Sequence, residues 1–214
     1  MSKRYNLAIN GNKMAKVLIA TLYHPNPVLA AANRLGPDRL ILLIDHKPDK
    51  EQEKSLKLIK ESIGRVVDVK VIKTEVYDIV KVAEKGVEII DMQPKDDEIF
   101  VNVTSGRKTK ALGLLFAAYA RCNKVKKIAY NPEEDVPSVV WLPKLSFKLT
   151  ESQKSVLNAL AEKDYSKMSL TELADKIGIS RAMLYRNIDE LRDMGYVSTE
   201  DGLVLTDAGK IARL

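Results

Sequence analysis

A short polar segment at residues 101–110, VNVTSGRKTK, carries residue types that bind phosphate. Hydroxyl, glycine and basic residues follow one another in it: Thr104, Ser105, Gly106, Arg107, Lys108 and Lys110. A strand pattern ends there and a helical pattern starts, so backbone amides and the positive end of a helix dipole would also favour an anion. Neither GxxxxGK[ST] nor GxGxxG is present, which argues against ATP or a dinucleotide. The competing interpretation is an ordinary capped turn with a solvated basic end.

A second loop, TLYHPNPV at residues 21–28, follows another strand pattern. Tyr23 could stack on a base, His24 could contact a phosphate or a purine, and Pro25 would stiffen the loop. A lone loop histidine more often caps a strand end through a backbone hydrogen bond, and that alternative stays open. The two loops become one candidate site if the fold brings them together.

Polar residues in or after other strands are weaker candidates. Asn102 lies in an apolar strand pattern, where it could reach a ligand or only bond a neighbouring loop. Asp45 and His46 could touch a ribose by analogy with dinucleotide-binding folds, but the glycine fingerprint of those folds is missing. With one cysteine and two histidines, the composition argues against a zinc site. The sequence therefore predicts no catalytic residue, no metal and no cofactor other than a bound ligand.

A third motif, at residues 169–195, has the pattern of a helix-turn-helix: a capped helix, a turn at Gly178 and a longer helix. In such motifs the start and the outer face of the second helix contact DNA. The candidate DNA-binding residues are Ser180, Arg181, Ala182, Tyr185 and Arg186. Arginines bind phosphate or guanine, and a tyrosine can contact phosphate or a thymine methyl. A helical module that mediates only protein contacts is the alternative.

Alternating apolar runs and amphipathic stretches must position the first two loops. Strands are predicted at 17–22, 39–45, 66–72, 98–104 and 126–131, and helices at 27–36, 50–64, 76–91 and 108–122. Right-handed crossovers then give an α/β fold with an open, Rossmann-like, doubly wound and mainly parallel sheet. Its strand order reverses between the first strand and the strand at Glu98, and ligands bind at such a switch point.

After residue 148 the pattern consists mainly of helices, and a hairpin at residues 196–206, turning at Asp201 and Gly202, completes a winged helix-turn-helix. We expect three parts. Residues 1–135 form the Rossmann-like ligand-sensing domain, residues 136–148 a linker or edge strand, and residues 149–214 the winged helix-turn-helix domain. Residues 1–13 fit either an additional strand or an extension.

The chain has 214 residues, 45% hydrophobic and 30% charged, which is typical of a packed globular protein. It shows no signal-peptide pattern and no apolar run long enough for a bilayer, so we expect a cytoplasmic protein without a membrane partner. Residues 148–214 hold 10 basic and 11 acidic residues, so the net charge of +6 arises entirely from residues 1–147. This charge favours a small phosphorylated ligand at least as much as DNA.

A Rossmann-like domain with the motif NVTSGRKT at residues 102–109, followed by a winged helix-turn-helix, resembles a family of CRISPR-associated transcriptional regulators. These proteins join a CARF domain to a C-terminal winged helix-turn-helix, as in the archaeal type I-A associated group. CARF domains carry similar [ST]-G-x-K stretches, and the resemblance extends from about residue 17 to the end. The near-neutral second domain and the acidic wing tip at residues 199–202 depart from a strong DNA-binding pattern.

The resemblance implies a homodimer that serves in antiviral defence. Its paired CARF domains would bind a cyclic oligoadenylate, most often cyclic tetra-adenylate, at a two-fold interface. The ligand contacts it implies fall on residues 104–108 and less directly on Tyr23, His24 and Pro25. Ligand binding would then change the affinity of the winged helices for double-stranded promoter DNA.

Two other functions stay open. Some CARF proteins cleave their cyclic ligand without a metal, as ring nucleases, and here Lys108 or Arg107 could stabilise developing charge while His24 moves a proton. The other alternative is a regulator that senses an unrelated small anion.

Overall fold

Five parallel strands and one short antiparallel strand form a single sheet. The computed structural model describes residues 14–135, 137–145, 147–162, 169–200 and 202–214. The strands are β1 (Lys16–Thr21), β2 (Arg39–Asp45), β3 (Asp68–Thr74), β4 (Glu98–Asn102), β5 (Val125–Tyr130) and β6 (Val140–Leu142). They lie in the order β3-β2-β1-β4-β5-β6, and only β6 runs antiparallel to its neighbour. The edge strand expected after the acidic connector is therefore present, whereas residues 1–13 lie outside the described residues.

Helices cover both faces of this sheet because the strands alternate their apolar side chains between two cores. The helices are α1 (Pro25–Leu35), α2 (Lys50–Ile63), α3 (Ile79–Asp91) and α4 (Lys108–Ala120). Leu18 of β1 packs with α1 and α2, while Ile19 packs with α3 and α4. The crossovers thus change face between β1 and β4, which confirms the predicted doubly wound, Rossmann-like sheet.

Most element boundaries differ from the predicted ones by one to three residues, and two of the differences have a clear local cause. The amides of Val66 and Val67 donate to the carbonyl of Ile63, at 3.0 and 2.9 Å, so these residues close α2 and β3 starts only at Asp68. Helix α3 starts at Ile79 and not at residue 76, since the Asp78 side chain accepts a hydrogen bond from the Lys81 amide at 3.0 Å. An aspartate in this role is an N-cap, which fixes where a helix begins.

The C-terminal part is a winged helix-turn-helix. Its helices are α5 (Glu151–Ala161), α6 (Leu170–Ile177), α7 (Arg181–Asp193) and α8 (Asp207–Ala212), and a short hairpin pairs β7 (Val197–Ser198) with β8 (Val204–Leu205). The predicted capping boxes at Thr150 and Ser169 are both formed. Gly178 adopts a φ of 71°, which allows the tight turn between α6 and α7. Of the two predicted turn residues of the wing, Asp201 lies outside the described residues.

We call the elements β1–β6 and α1–α4 the sheet domain, and the elements from α5 to α8 the winged part. Helix α8 packs against α3 and α4, so the winged part contacts one helix layer of the sheet domain. The Arg213 guanidinium, directly after α8, lies 3.0 Å from the Glu84 carboxylate of α3. Helices α3 and α4 also approach each other closely, because a Cβ added at Gly113 would lie only 2.6 Å from the Cβ of Val82. The first turn of α4 and the winged part are therefore joined through one tightly packed helix pair.

Candidate functional site

The loops after β1 and β4 meet at the switch point, and the Ser105 hydroxyl joins them. This hydroxyl accepts hydrogen bonds from the amides of Tyr23 and His24, at 2.8 and 2.9 Å, and donates to the carbonyl of His24 at 2.8 Å. One buried side chain thus satisfies three backbone groups of the opposite loop. The structure therefore brings together the two loops that the sequence offered as a joint candidate.

Gly106 permits this close approach. Its φ of 97° lies in a region that other residues rarely adopt, and a Cβ there would lie 3.1 Å from the Cβ of Thr21. The Thr21 hydroxyl, in turn, donates to the carbonyl of Ser105. A glycine at this position lets the β4–α4 loop pass directly over the end of β1.

Backbone donors stay open at the start of α4. The amides of residues 106–109 have no acceptor among the described residues, whereas those of Lys110 and Ala111 donate to the carbonyl of Arg107, at 2.9 and 3.0 Å. The Lys108 side chain is exposed beside these amides and forms no ion pair with a described residue. Unpaired amides, a helix dipole and a free ammonium group are the parts of an anion site.

A buried ion pair lies beneath this helix end. The Lys110 ammonium contacts Asp45 at the end of β2, and the two side chains are 0% and 6% exposed. Burial raises the pKa of Asp45, but the hydrogen bonds from Lys110, Arg107 and Gln52 outweigh it, so the pKa lies below the ordinary value of 3.8. Burial lowers the pKa of Lys110, and the Asp45 carboxylate opposes that effect. Lys110 is therefore committed to the protein, whereas Lys108 remains open to a ligand.

Arg107 projects above this pair and lies between two tyrosines. Its Nε is 3.2 Å from the second carboxylate oxygen of Asp45. The Cζ of Arg107 lies 5.8 Å from the ring centre of Tyr23 and 6.0 Å from that of Tyr77. The Tyr23 hydroxyl donates to Asp49 at 2.8 Å, which holds that ring in place. The guanidinium is thus oriented by its neighbours while part of it remains exposed to solvent.

The remaining residues assigned to the ligand occupy different environments. The Asn102 side chain is fully buried, donates to Asn131 at 2.8 Å and accepts from the Thr104 amide at 3.0 Å. The Thr104 hydroxyl accepts a hydrogen bond from the backbone amide of Asn131 at 2.7 Å. His24 is exposed, and Pro25 begins α1. Asn102 and Thr104 therefore shape the loop, and a direct contact of either with a ligand stays a prediction.

Sequence reasoning missed the partners of these residues. It considered Asp45 only as a ribose contact and did not single out Gln52, Tyr77 or Asn131. Gln52 joins the loops from below, since its Nε2 donates to the carbonyl of Leu22 at 2.7 Å. A glutamine in the first turn of a surface helix gives no sequence signal, whereas the position of Asp45 at the end of an apolar strand could have indicated a buried partner.

The candidate DNA-binding residues lie together on the outer face of α7. Ser180 caps this helix by accepting from the Met183 amide at 3.2 Å. The other four candidates are exposed: Arg181, Ala182, Tyr185 and Arg186. The Arg186 Nε is paired with Glu190 at 2.8 Å, an i,i+4 pair on the helix surface. Arg181 forms no ion pair with a described residue, so its side chain is the more available of the two arginines.

The described residues contain no group of three or more acidic, histidine or cysteine side chains that could hold a metal ion. In the same part of the chain, no helix has the length and apolar character that a membrane span requires.

A doubly wound CARF-like sheet followed by a winged helix-turn-helix is the architecture of CARF-HTH regulators. The family model HFX_2341_N, described as "-like, N-terminal", matches residues 17–135. This match covers more than half of the chain, which therefore belongs to that family. The model HTH_24, described as winged helix-turn-helix DNA-binding, matches residues 149–198. No curated protein matches the sequence.

The structure is also similar to solved structures at low sequence identity. Can2 from Sulfobacillus thermosulfidooxidans, in complex with cyclic tetra-adenylate, is 14% identical with a TM-score of 0.47, over 92% of this chain and 63% of that chain. VC1899 from Vibrio cholerae is 13% identical with a TM-score of 0.49 over the same shares. Enterococcus italicus Csm6, bound to cyclic hexa-2'-fluoro-hexa-dAMP, is 17% identical with a TM-score of 0.48, over 86% and 56%. The chain thus spans less than two thirds of each of these proteins.

The Asp45–Lys110 pair leads to a prediction about stability. Asp45→Asn leaves the Lys110 charge buried without its counter-ion, and we expect it to cost about 3–5 kcal/mol at neutral pH. The double variant Asp45→Asn/Lys110→Met removes both charges and should recover most of that loss. Urea denaturation of the wild type and the two variants measures the free energies of unfolding.

The pH dependence has a defined sign. The folded pKa of Asp45 is lowered, so its contribution to stability is fully present above the ordinary value of 3.8 and is lost as the pH falls through the folded pKa. The difference between the wild type and Asp45→Asn should therefore shrink in acid. If Asp45→Asn is as stable as the wild type at neutral pH, the Asp45–Lys110 pair does not stabilise the fold as described.

Proposed function

We propose that the protein is a transcriptional regulator that binds a cyclic oligoadenylate, most often cyclic tetra-adenylate. Ligand binding would change its affinity for double-stranded DNA. The ligand would lie between the CARF-like domains of a homodimer, because a symmetric ring suits a two-fold site. The observation that carries the proposal is the junction at Ser105. There, the loop that holds His24 is fixed beside open amides and the exposed Lys108.

Charge supports a phosphorylated ligand at this junction. The basic excess of the chain lies in residues 1–147, where Arg107 and Lys108 are both exposed at the start of α4. Lys110 neutralises Asp45 from below, so the nearest buried carboxylate does not repel an anion. A phosphate there would meet backbone donors and two cationic side chains.

Coupling to DNA requires that the ligand bind the two states of the dimer with different affinity. Helix α4 begins at the proposed phosphate site, and α8 of the winged part packs on α3 and α4. A shift of the β4–α4 loop would therefore be transmitted to the winged part through packed helices. In a dimer, such a shift changes the spacing of the two α7 helices, which sets the fit to two half-sites.

A second candidate function is slow cleavage of the ring in the same site. Its support is the exposure of His24, whose backbone groups are occupied by Ser105 while the imidazole faces solvent. Incubation of cyclic tetra-adenylate with the protein, followed by chromatography, separates the two functions. Linear products support cleavage, and an unchanged ring supports a regulator that only binds.

The ligand proposal predicts that the removal of Lys108 lowers the affinity for the ring. Isothermal titration calorimetry with cyclic tetra-adenylate should give about one ring per dimer, and Lys108→Ala should weaken binding by about tenfold or more, as expected for a charge-assisted phosphate contact. Lys57→Ala is the charge-matched control, because it removes an exposed lysine of α2 that is paired with Glu61 on the same helix. Equal affinity of Lys108→Ala and the wild type would remove the assigned phosphate contact, and no binding by the wild type would overturn the ligand proposal.

The DNA proposal concerns the start of α7. In gel shifts on the protein's own promoter, Arg181→Ala should weaken binding and reduce the slope of log affinity against log salt by roughly one, as for the loss of one phosphate contact. Arg186→Ala should have a smaller effect, because this arginine is already paired with Glu190. Arg65→Ala, an exposed arginine of the sheet domain, is the charge-matched control. If neither α7 variant differs from that control, the recognition helix is wrongly assigned.

A further inference from the structure

A cavity of about 1240 Å³ lies between the candidate phosphate site and the winged part. One wall comes from the loops after β2 and β3 together with Arg107, and the opposite wall comes from α8. Apolar side chains from both parts of the chain line it: Val76, Ile79, Val80, Phe116, Ala208 and Ile211. The cavity therefore combines an apolar surface with one residue of the proposed anion site.

Tyr77 is the aromatic residue that the fold leaves unused at this cavity. It is 76% exposed, although it directly precedes Asp78, the N-cap of α3. Its ring contacts the Arg107 guanidinium, whose Cζ lies 6.0 Å from the ring centre. A large exposed ring contributes little to stability, so the core does not account for a tyrosine at this position.

An exposed ring beside a guanidinium suits a nucleotide. Aromatic side chains can stack on any nucleic-acid base, and an arginine next to them can bind the adjoining phosphate. The charges around the cavity are mixed, since Glu75, Asp78, Glu84 and Asp207 line it as well as Lys47, Lys81 and Lys210. A free inorganic anion would gain little binding energy from such a mixture of charges. A flat base, in contrast, can pack on the apolar wall while the charged side chains stay solvated.

We propose that this cavity holds one adenine base of the ligand, stacked on Tyr77 while the neighbouring phosphate meets Arg107. This inference rests on the proposed function and extends it. The base would lie between the sheet domain and α8, so the ligand itself would contact both parts of the chain. Arg107 would be shared by the two subsites, since it lies between the Tyr23 and Tyr77 rings.

A tryptophan at position 77 tests the stacking directly. Trp141 is the sole tryptophan of the chain, so Tyr77→Trp in a Trp141→Phe background places the single tryptophan of the variant in the cavity, where it is excited selectively at a wavelength that tyrosine does not absorb. Addition of cyclic tetra-adenylate should quench its emission, with the dissociation constant obtained by calorimetry. The wild-type protein, with its emission from Trp141 on β6, should show no comparable quenching.

Affinity gives the second readout. Tyr77→Ala should raise the dissociation constant of cyclic tetra-adenylate by about tenfold, which is the size expected for a lost base–aromatic stack. Tyr77→Phe keeps the ring and should bind like the wild type. Because residue 77 is exposed, its substitutions should not disturb folding, and circular dichroism checks this for each variant, including the one that also carries Trp141→Phe.

The outcomes separate this inference from the proposed function. If the wild type binds the ring but Tyr77→Ala binds equally well, or the tryptophan variant shows no quenching, the stacking subsite is wrong and the proposed function stands. If the wild type does not bind the ring at all, both are overturned. Quenching together with a selective loss in Tyr77→Ala supports the subsite.

Discussion

The buried pair of Asp45 and Lys110 is the interaction on which the rest of the site depends. It joins the end of β2 to the first turn of α4, two segments 65 residues apart in sequence. Two charges in a nearly dry position must be matched, because either one alone would be costly to bury. The pair thereby fixes where α4 begins above the sheet, and the second oxygen of the same carboxylate orients Arg107. The exposed side chains of Arg107 and Lys108, at the start of α4, are therefore placed by that anchor.

Two further polar residues, Ser105 and Gln52, hold the loops at this edge of the sheet. Because they do so, other polar groups of the site are left without a partner among the described residues. Ser105 satisfies three backbone groups of the β1–α1 loop, and Gln52 donates to the carbonyl of Leu22 beneath it. The loops are therefore held without the amides of residues 106–109 or the Lys108 side chain. A site preorganised in this way loses little conformational entropy when an anion binds. The fold and the candidate site thus use different polar groups of the same short segment.

Sequence patterns predicted the fold better than they predicted the site. Apolar periodicity gave five parallel strands and their crossovers, and residue types gave the two loops that meet at the switch point. The pattern placed Lys110 and Lys108 together as basic residues, but it did not separate the buried lysine from the exposed one. That distinction depends on Asp45, which only the paired strands bring near. Tyr77 was missed because exposure beside Arg107 is a property of the assembled cavity, and no spacing in the sequence encodes it.

The distribution of charge also constrains how the two parts of the chain can act together. Residues 148–214 carry slightly more acidic than basic side chains, so long-range attraction to DNA is weak, and the proposed DNA binding would depend on the local placement of Arg181 and Arg186. In the proposed homodimer, binding that depends on a few contacts from each protomer would be sensitive to the spacing of the two α7 helices. The proposed ligand, in contact with both the sheet domain and α8, would act on that spacing directly, because it would bind most tightly where both walls of the cavity fit it at once. Weak intrinsic attraction to DNA would therefore leave more of the binding free energy under the control of the proposed ligand.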